Sequence, residues 1–325
     1  MKLQHYNPSA DGGQFGVIVG EPNDVYHAND AISNSDLSLF IKNPKRFEAL
    51  RNGDIEKESK ACYTLGSLFH LVSLEGIEAY NERYVLNIHE PKKPTPQQLR
   101  AHGNFGNIDK PTKAQLEAFQ RQSQLIEAYE NFWKVHEGKE SVRLEDDQTA
   151  RAMRDSMLDD EDALEILYGF EEMHKELTVR TEKLKHGFSV QAKLDIYDEQ
   201  TNRIIDLKSV HKLDQFRKEV WDFGYYRQAA FYSLVAELVF GKPIQEFLFI
   251  AVEASAPHEV GVFKCDEDFI AQGIAEIKAG LTHLGKCLKE NSFPKRFCGV
   301  TTLFLESWEK KKSDDRMSRL ERSVA

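Results

Sequence analysis

An α/β (α+β) architecture, a mixed sheet flanked by helices with an N-terminal helical elaboration, is predicted by three features of the chain. Up to Gly169 the apolar residues recur at helical spacing, and beyond it they recur at every second position. Two short polar turns interrupt the alternating stretch, which therefore reads as a three-stranded meander. A helical stripe, two further strands and a long amphipathic helix follow in that order, as a packed sheet-and-helix layer requires. The expected division is residues 1–143 for the elaboration, 144–300 for the α/β core and 301–325 for a charged C-terminal tail.

In the N-terminal part, Ser33-Asn34-Ser35-Asp36 sets hydroxyl and Asx side chains ahead of Leu37, Phe40 and Ile41, a capped helix that Asn43-Pro44 stops. Leu65, Leu68, Phe69 and Val72 follow the i, i+3, i+4, i+7 rule, so Thr64 to Ser67 open a packed helix that carries His70. Between about residues 90 and 125, Pro91, Pro94, Pro96, Pro111, Gly103 and Gly106 break the periodicity and basic residues outnumber acidic ones. That segment reads as a basic loop or insertion, with helix resuming at Thr112. Residues 144–169 are helical and rich in Asp and Glu, a composition of solvated helix faces.

In the core, Leu177 and Val179, then Phe188, Val190, Ala192, Leu194 and Ile196, alternate, with Lys185-His186-Gly187 as the turn between two strands. A turn at residues 198–201 leads to a third strand over 203–210. Phe231, Leu234, Val235 and Leu238 mark a helix that ends at Gly241-Lys242-Pro243. Strands at 244–253 and 259–264 and a helix over about 266–291 close the core, and the charged residues 307–325 are expected to fray.

With 41% hydrophobic and 30% charged residues, the chain has the composition of a globular protein rather than a disordered tail. The longest clean apolar run, residues 247–252, falls far short of the ~20 residues that cross a bilayer. Residues 1–13 hold no apolar h-region, so a cytoplasmic location is expected. The net charge of −10 argues against coating nucleic acid by bulk electrostatics and leaves that task to local patches or metal ions. Four cysteines without a CxxC pair are expected as reduced thiols.

Strand alternation also decides which polar side chains meet. On the second meander strand Ser189, Gln191, Lys193 and Asp195 share the face opposite the apolar set, and on the third Ile204, Asp206 and Lys208 share one face. Glu176 is out of phase with Leu177 and Val179, which allows it to lie beside Asp195; Glu171 and Glu172 are alternatives for that place. Such carboxylates would repel one another unless a divalent cation joined them, and all-oxygen ligation suits Mg²⁺ or Mn²⁺. Phosphodiester hydrolysis uses these parts, with Lys208 placed to orient or deprotonate the attacking water.

The order Asp195, ten intervening residues, then Asp206-Leu207-Lys208 resembles the PD-(D/E)xK nuclease superfamily. Downstream, Gln228-Ala229-Ala230-Phe231-Tyr232 resembles the QxxxY element of RecB-type nucleases, and Leu65-Gly66-Ser67-Leu68-Phe69-His70 with Glu75 resembles their first motif. Together with Ser33-Asn34-Ser35-Asp36-Leu37 and Asn43-Pro44-Lys45-Arg46-Phe47, these residues are similar to the RecE-like exonucleases of phages and prophages, of the exodeoxyribonuclease VIII type. The resemblance spans most of residues 30–300 and implies a PD-(D/E)xK nuclease core. It implies a Mg²⁺-dependent exonuclease that enters double-stranded DNA ends and degrades the 5′ strand, leaving a 3′ single strand for an annealing protein. Its metal shell would be His70, Glu176, Asp195, Asp206 and the backbone carbonyl of Leu207, with Gln228 and Tyr232 steadying Lys208 and the scissile phosphate. Related enzymes form rings, so a homo-oligomer is implied too.

Two departures stand out. Ala192 occupies the position, three residues before Asp195, where RecB-type nucleases often carry glycine. Residues 90–125 match nothing in the family, so phosphate contacts by Lys92, Lys93, Arg100, Lys110 and Lys113 are expected from charge alone. Some RecB-type nucleases hold an iron–sulfur cluster through one upstream and three downstream cysteines. Here Cys265, Cys287 and Cys298 are too widely spaced to resemble that arrangement beside Cys62, so no cluster is expected. The alternatives to an exonuclease are a nuclease-like module that binds DNA or a partner without cutting, and an endonuclease of the same superfamily.

Overall fold

The structure, a computed structural model, describes residues 1–9, 13–56, 65–167, 169 and 172–324. Strands β1 (Leu3–His5) and β2 (Gly16–Val19) come first, then helices α1 (Asn23–Ala28), α2 (Asn34–Lys42) and α3 (Pro44–Arg51). The Ser33 hydroxyl accepts from the Asp36 amide and the Asp36 carboxylate accepts from the Ser33 amide, so the helix start read from sequence is a capping box. Helix α4 (Leu65–His70) continues into a π-helical turn at Leu71–Glu75 and then α5 (Gly76–Arg83). Strand β3 (Tyr84–Leu86), α6 (Pro96–Gly103), α7 (Lys113–Val135), β4 (Glu140–Val142), α8 (Leu144–Asp159) and α9 (Glu161–Ile166) complete the first half.

The meander is β5 (His174–Arg180), β6 (Gln191–Asp198) and β7 (Arg203–Val210). Helices α10 (Phe216–Asp222) and α11 (Tyr225–Phe240), strands β8 (Glu246–Glu253) and β9 (Val260–Lys264), and helices α12 (Glu267–Glu290) and α13 (Ser307–Val324) follow. Seven strands form one mixed sheet in the order β1-β2-β5-β6-β7-β8-β9, parallel at β1/β2 and β7/β8 and antiparallel elsewhere, which is the predicted fold class.

Both faces of the sheet are covered. Leu177, Val179, Ala192, Leu194, Phe247 and Phe249 pack with α2, α11 and α12, while Ile205, Leu207, Leu248 and Ile250 pack with Phe69 of α4 and Met153 and Met157 of α8. Burial on two sides explains why β8 reads as a continuous apolar run rather than an alternating one.

Four expectations need correction. The N-terminal part is not helical throughout: β1 and β2 extend the main sheet along β5, through Leu3, Val17 and Val179. Residues 90–125 are not only a loop: besides α7, which starts at Thr112 as expected, they hold α6, whose threonine capping box at Thr95 the prolines and glycines obscured. Residues 307–324 form an exposed helix instead of fraying. Ile196 lies on the opposite face of the sheet from Ala192 and Leu194, because the pleat breaks at Asp195.

Helices α11 and α12 touch at Gly273, where a Cβ would sit 2.5 Å from Cβ of Ala230 and 2.7 Å from the Tyr226 carbonyl oxygen. Alanine is the better helix former, but the overlap dominates. Gly273→Ala is expected to lower unfolding stability by about 1–3 kcal/mol in urea titrations.

Candidate active site

The site forms where the meander opens. β5 and β6 pair in one register from Lys175 opposite Ile196 to Arg180 opposite Gln191, but Glu176 and Asp195 drop out of the ladder. Glu176 has a φ of 49°, a left-handed conformation that a non-glycine residue adopts at a cost and that clusters at functional sites. β6 and β7 pair only over residues 196–198 and 203–205. In the gap beyond, the Leu207 amide donates to Asp195 Oδ2 at 2.9 Å, so the aspartate replaces a missing backbone acceptor.

Helix α4 delivers His70 to this opening. Its Nδ1 lies 3.5 Å from Asp195 Oδ2, and ligand atoms of His70, Glu176 and Asp195 all fall within 4.8 Å of one another. Burial, then the nearby Lys208 ammonium, lower the pKa of His70 to about 4, which keeps the imidazole neutral and able to ligate. Burial, then the Asp195 carboxylate, push Glu176 up to about 8, while Lys193 opposes the shift. Asp195 is raised by burial against the influence of Lys208 and the Leu207 amide.

Asp206 and Lys208 share a face, as alternation requires, but Asp206 lies beneath the cleft at 1% exposure. Its Oδ1 accepts from Gln228 Nε2 at 2.7 Å and its Oδ2 from Lys208 Nζ. Burial lifts its pKa to about 6 even though the lysine pulls the other way. Burial disfavours the charge on Lys208, but Asp206 and Asp195 more than offset this and the ammonium is retained. Lys208 Nζ also sits 4.9 Å from the centre of the Tyr225 ring, a cation–π contact.

Of the residues expected from sequence, His70, Glu176 and Asp195 form one donor cluster, and Asp206, Lys208 and Gln228 form a hydrogen-bonded set beside it. The Leu207 backbone hydrogen-bonds His70 and so lies at the same place. Tyr232 lines the cleft and bonds the Gln228 side chain, and burial raises its phenol well above the usual range. Glu172 lines a separate pocket with Glu165 and Glu199, and Glu171 lies outside the described residues. Lys92, Lys93, Arg100, Lys110 and Lys113 are exposed on and around α6 and α7, and none lines the cleft. Cys265 directly precedes α12 and Cys287 is buried near the far end of that helix, Cys298 is exposed, and Cys62 falls outside the described residues.

The opening, about 480 Å³, is also lined by Glu75 and Lys193, which the sequence motifs and alternation had singled out without a role, and by Asn23, Tyr26 and Arg83, which sequence reasoning missed. Lys193 shares the phase of Asp195 and was legible on that ground, whereas Tyr26 arrives through tertiary contacts: Gln191 Nε2 donates to its carbonyl at 2.9 Å. A buried Arg180–Glu21 ion pair at 2.8 Å fixes the same N-terminal segment over the sheet.

The donor set of one imidazole and clustered carboxylates fits a divalent cation, since such an ion would offset the burial that raises Glu176 and Asp195 and the repulsion that Asp195 adds at Glu176. A family description, a PDDEXK-like domain of unknown function (DUF3799), matches residues 33–306. The chain belongs to the DUF3799 family. That places this DUF3799 protein in the PD-(D/E)xK superfamily, as the spacing of Asp195, Asp206 and Lys208 suggested.

A solved structure provisionally described as an exonuclease, from Eubacterium rectale, is similar at 13% identity. Its TM-score is 0.50, over 89% of this chain and 97% of that one, which supports the shared fold. A phage-related exonuclease from Haemophilus somnus 129PT matches at 14% identity and a TM-score of 0.27, over 59% of this chain and 95% of that one. No curated protein matches the chain. Among the described residues, no helix is long and apolar enough to cross a membrane.

Gln228 touches Asp206 without reaching the donor cluster, so it acts by holding a carboxylate in place. Gln228→Ala is expected to cost about 10–100-fold in turnover or cation affinity, the usual effect of losing an outer-shell partner, measured by nuclease assay and calorimetric cation titration.

Proposed function

We propose that this protein is a divalent-cation-dependent exodeoxyribonuclease of the RecE-like type. It would act on double-stranded DNA ends, with Mg²⁺ or Mn²⁺ as cofactor. The observation that carries the reading is the convergence of His70, Glu176 and Asp195 at the split between β6 and β7, beside the Asp206–Lys208–Gln228 set. A bound cation would supply Lewis-acid polarisation of a phosphoryl oxygen and stabilise the charge that develops there.

The remaining roles belong to the chain itself. Asp195 and Glu176 supply anionic donors and His70 a neutral one. Lys208, held by Asp206, is a fixed positive charge beside the reacting phosphate and orients the attacking water. Gln228 and Tyr232 keep Asp206 and the cleft wall in register. Exposed lysines and Arg100 around α6 and α7 supply phosphate contacts that carry no sequence information, which suits an enzyme that degrades any duplex.

The 5′-to-3′ direction, a single-strand annealing protein as partner in recombination, a ring-shaped homo-oligomer and a cytoplasmic setting complete the proposal and rest on the resemblance to RecE-like exonucleases. The test is incubation with Mg²⁺ and either linear or covalently closed circular duplex, with and without chelator. Loss of the linear form alone, prevented by chelator, is the expected result. Loss of both forms would make it an endonuclease, and loss of neither would make it a binding module.

A further inference from the structure

We infer that Lys193 is a built-in monovalent charge that flanks the donor cluster at Glu176 and limits the site to one divalent cation. The inference rests on the cation-dependent reading above and goes beyond it by fixing the number of ions. No nuclease role for Lys193 is implied by the Asp–Asp-x-Lys pattern, which accounts only for Lys208.

Three observations converge. The described residues hold one donor cluster, His70, Glu176 and Asp195, whose ligand atoms are mutually within 4.8 Å and so span a single coordination sphere. The nearby carboxylate, Asp206, has its oxygens engaged by Gln228 and Lys208 and leaves no free anion beside the cluster on that flank. On the other flank, Lys193 Nζ stands 3.8 Å from Glu176 Oε2.

Lys193 is held there rather than swept in by chance. Its ammonium donates to the Glu21 carbonyl at 2.8 Å and to Asn23 Oδ1 at 2.7 Å, and it lies 5.6 Å from the centre of the Tyr26 ring. Its side chain is only 12% exposed, so it does not extend to water as surface lysines do. A second dication beside Glu176 would meet this ammonium at close range in a partly desolvated cleft, where like-charge repulsion is weakly screened.

Charge balance agrees. With all three carboxyls ionised, as ligation of a cation requires, Glu176, Asp195 and Asp206 against Lys193 and Lys208 leave one net negative charge, because Glu75 and Arg83 cancel each other in a two-point ion pair. One dication turns that into one net positive charge, matched to one phosphodiester. Two dications would overshoot it.

The experiment counts ions on the full chain by Mn²⁺ titration followed by electron paramagnetic resonance, with Asp195→Asn as the blank that identifies sites belonging to this centre. The wild type is expected to bind one Mn²⁺ there. In Lys193→Gln the first ion should bind about tenfold more tightly, the scale of one close charge pair, and a second ion should appear. Lys193→Arg, which keeps the charge, should restore a count of one. Lys193→Met serves in place of the glutamine variant should circular dichroism show the latter unfolded. Two ions in the wild type, or unchanged count and affinity in the neutral variants, would overturn the inference and leave the nuclease reading standing. Binding of no ion by the wild type would overturn both.

Discussion

Asp206→Asn is expected to reduce degradation of linear duplex DNA by about two to three orders of magnitude, the loss that follows removal of one preorganised electrostatic group. The fold should survive. Asparagine is isosteric and its side-chain oxygen can still accept from Gln228, but its Nδ2 would face the Lys208 ammonium, donor against donor, so part of the buried pair's stability is lost while the β7/β8 ladder is kept. Lys208→Ala should abolish activity to a similar degree but at a different structural cost. It strands a carboxylate of 1% exposure without its ammonium, and breaking one partner of a buried pair costs about 3–5 kcal/mol. Part of that is relieved by protonation, since Asp206 already sits at about 6 and loses the group that lowers it. Nuclease rates measured beside unfolding curves for both variants separate the chemistry from the fold. Full activity in either one would remove Asp206 and Lys208 from the reaction and with them the proposed function.

The parts of this site that alternation could reach were legible before the fold was known. Asp206 and Lys208 share a regular strand, so a period of two placed them together, and Gln228 followed on a helix face whose apolar stripe was plain. What failed is informative for the same reason. A period of two assumes an unbroken pleat, and the chain breaks it at Glu176 and Asp195, so Ile196 changes faces and Asp195 turns into the gap between strands. The unfavourable backbone at Glu176 is invisible in composition. β1 and β2 are three and four residues long, too short for periodicity to show, and they gain their place only by pairing with β5. The π-helical turn after His70 is likewise a tertiary outcome: it lies where Leu71, Val72 and Leu74 are all buried, an arrangement often found at functional sites.

Adding Mg²⁺ or Mn²⁺ to metal-free protein is expected to raise the thermal midpoint by roughly 5 °C once the ion is about 100-fold above its Kd, from the linkage energy of about 2.7 kcal/mol spread over a chain of this size. The origin of that gain is visible in the pH dependence. A carboxyl whose folded-state pKa exceeds its ordinary value binds its proton more tightly when folded, so ionising it costs stability. For Glu176 the window runs from its ordinary 4.5 to about 8: the cost is absent below it, grows as pH rises through it, and is complete above it. Metal-free wild type should therefore lose midpoint relative to Glu176→Gln between pH 5 and pH 8, with the two converging near pH 4. The glutamine variant, with no buried charge to desolvate and no repulsion with Asp195, should be the more stable protein at pH 8 and should lose most of the stabilisation by cation. Parallel midpoint curves for the two proteins across that range would show that neither burial nor Asp195 raises Glu176 in solution. In that case Glu176 would already be ionised at neutral pH and a cation would gain nothing by relieving its burial. A cation-dependent shift that vanishes together with the pH-dependent gap ties both effects to one carboxylate.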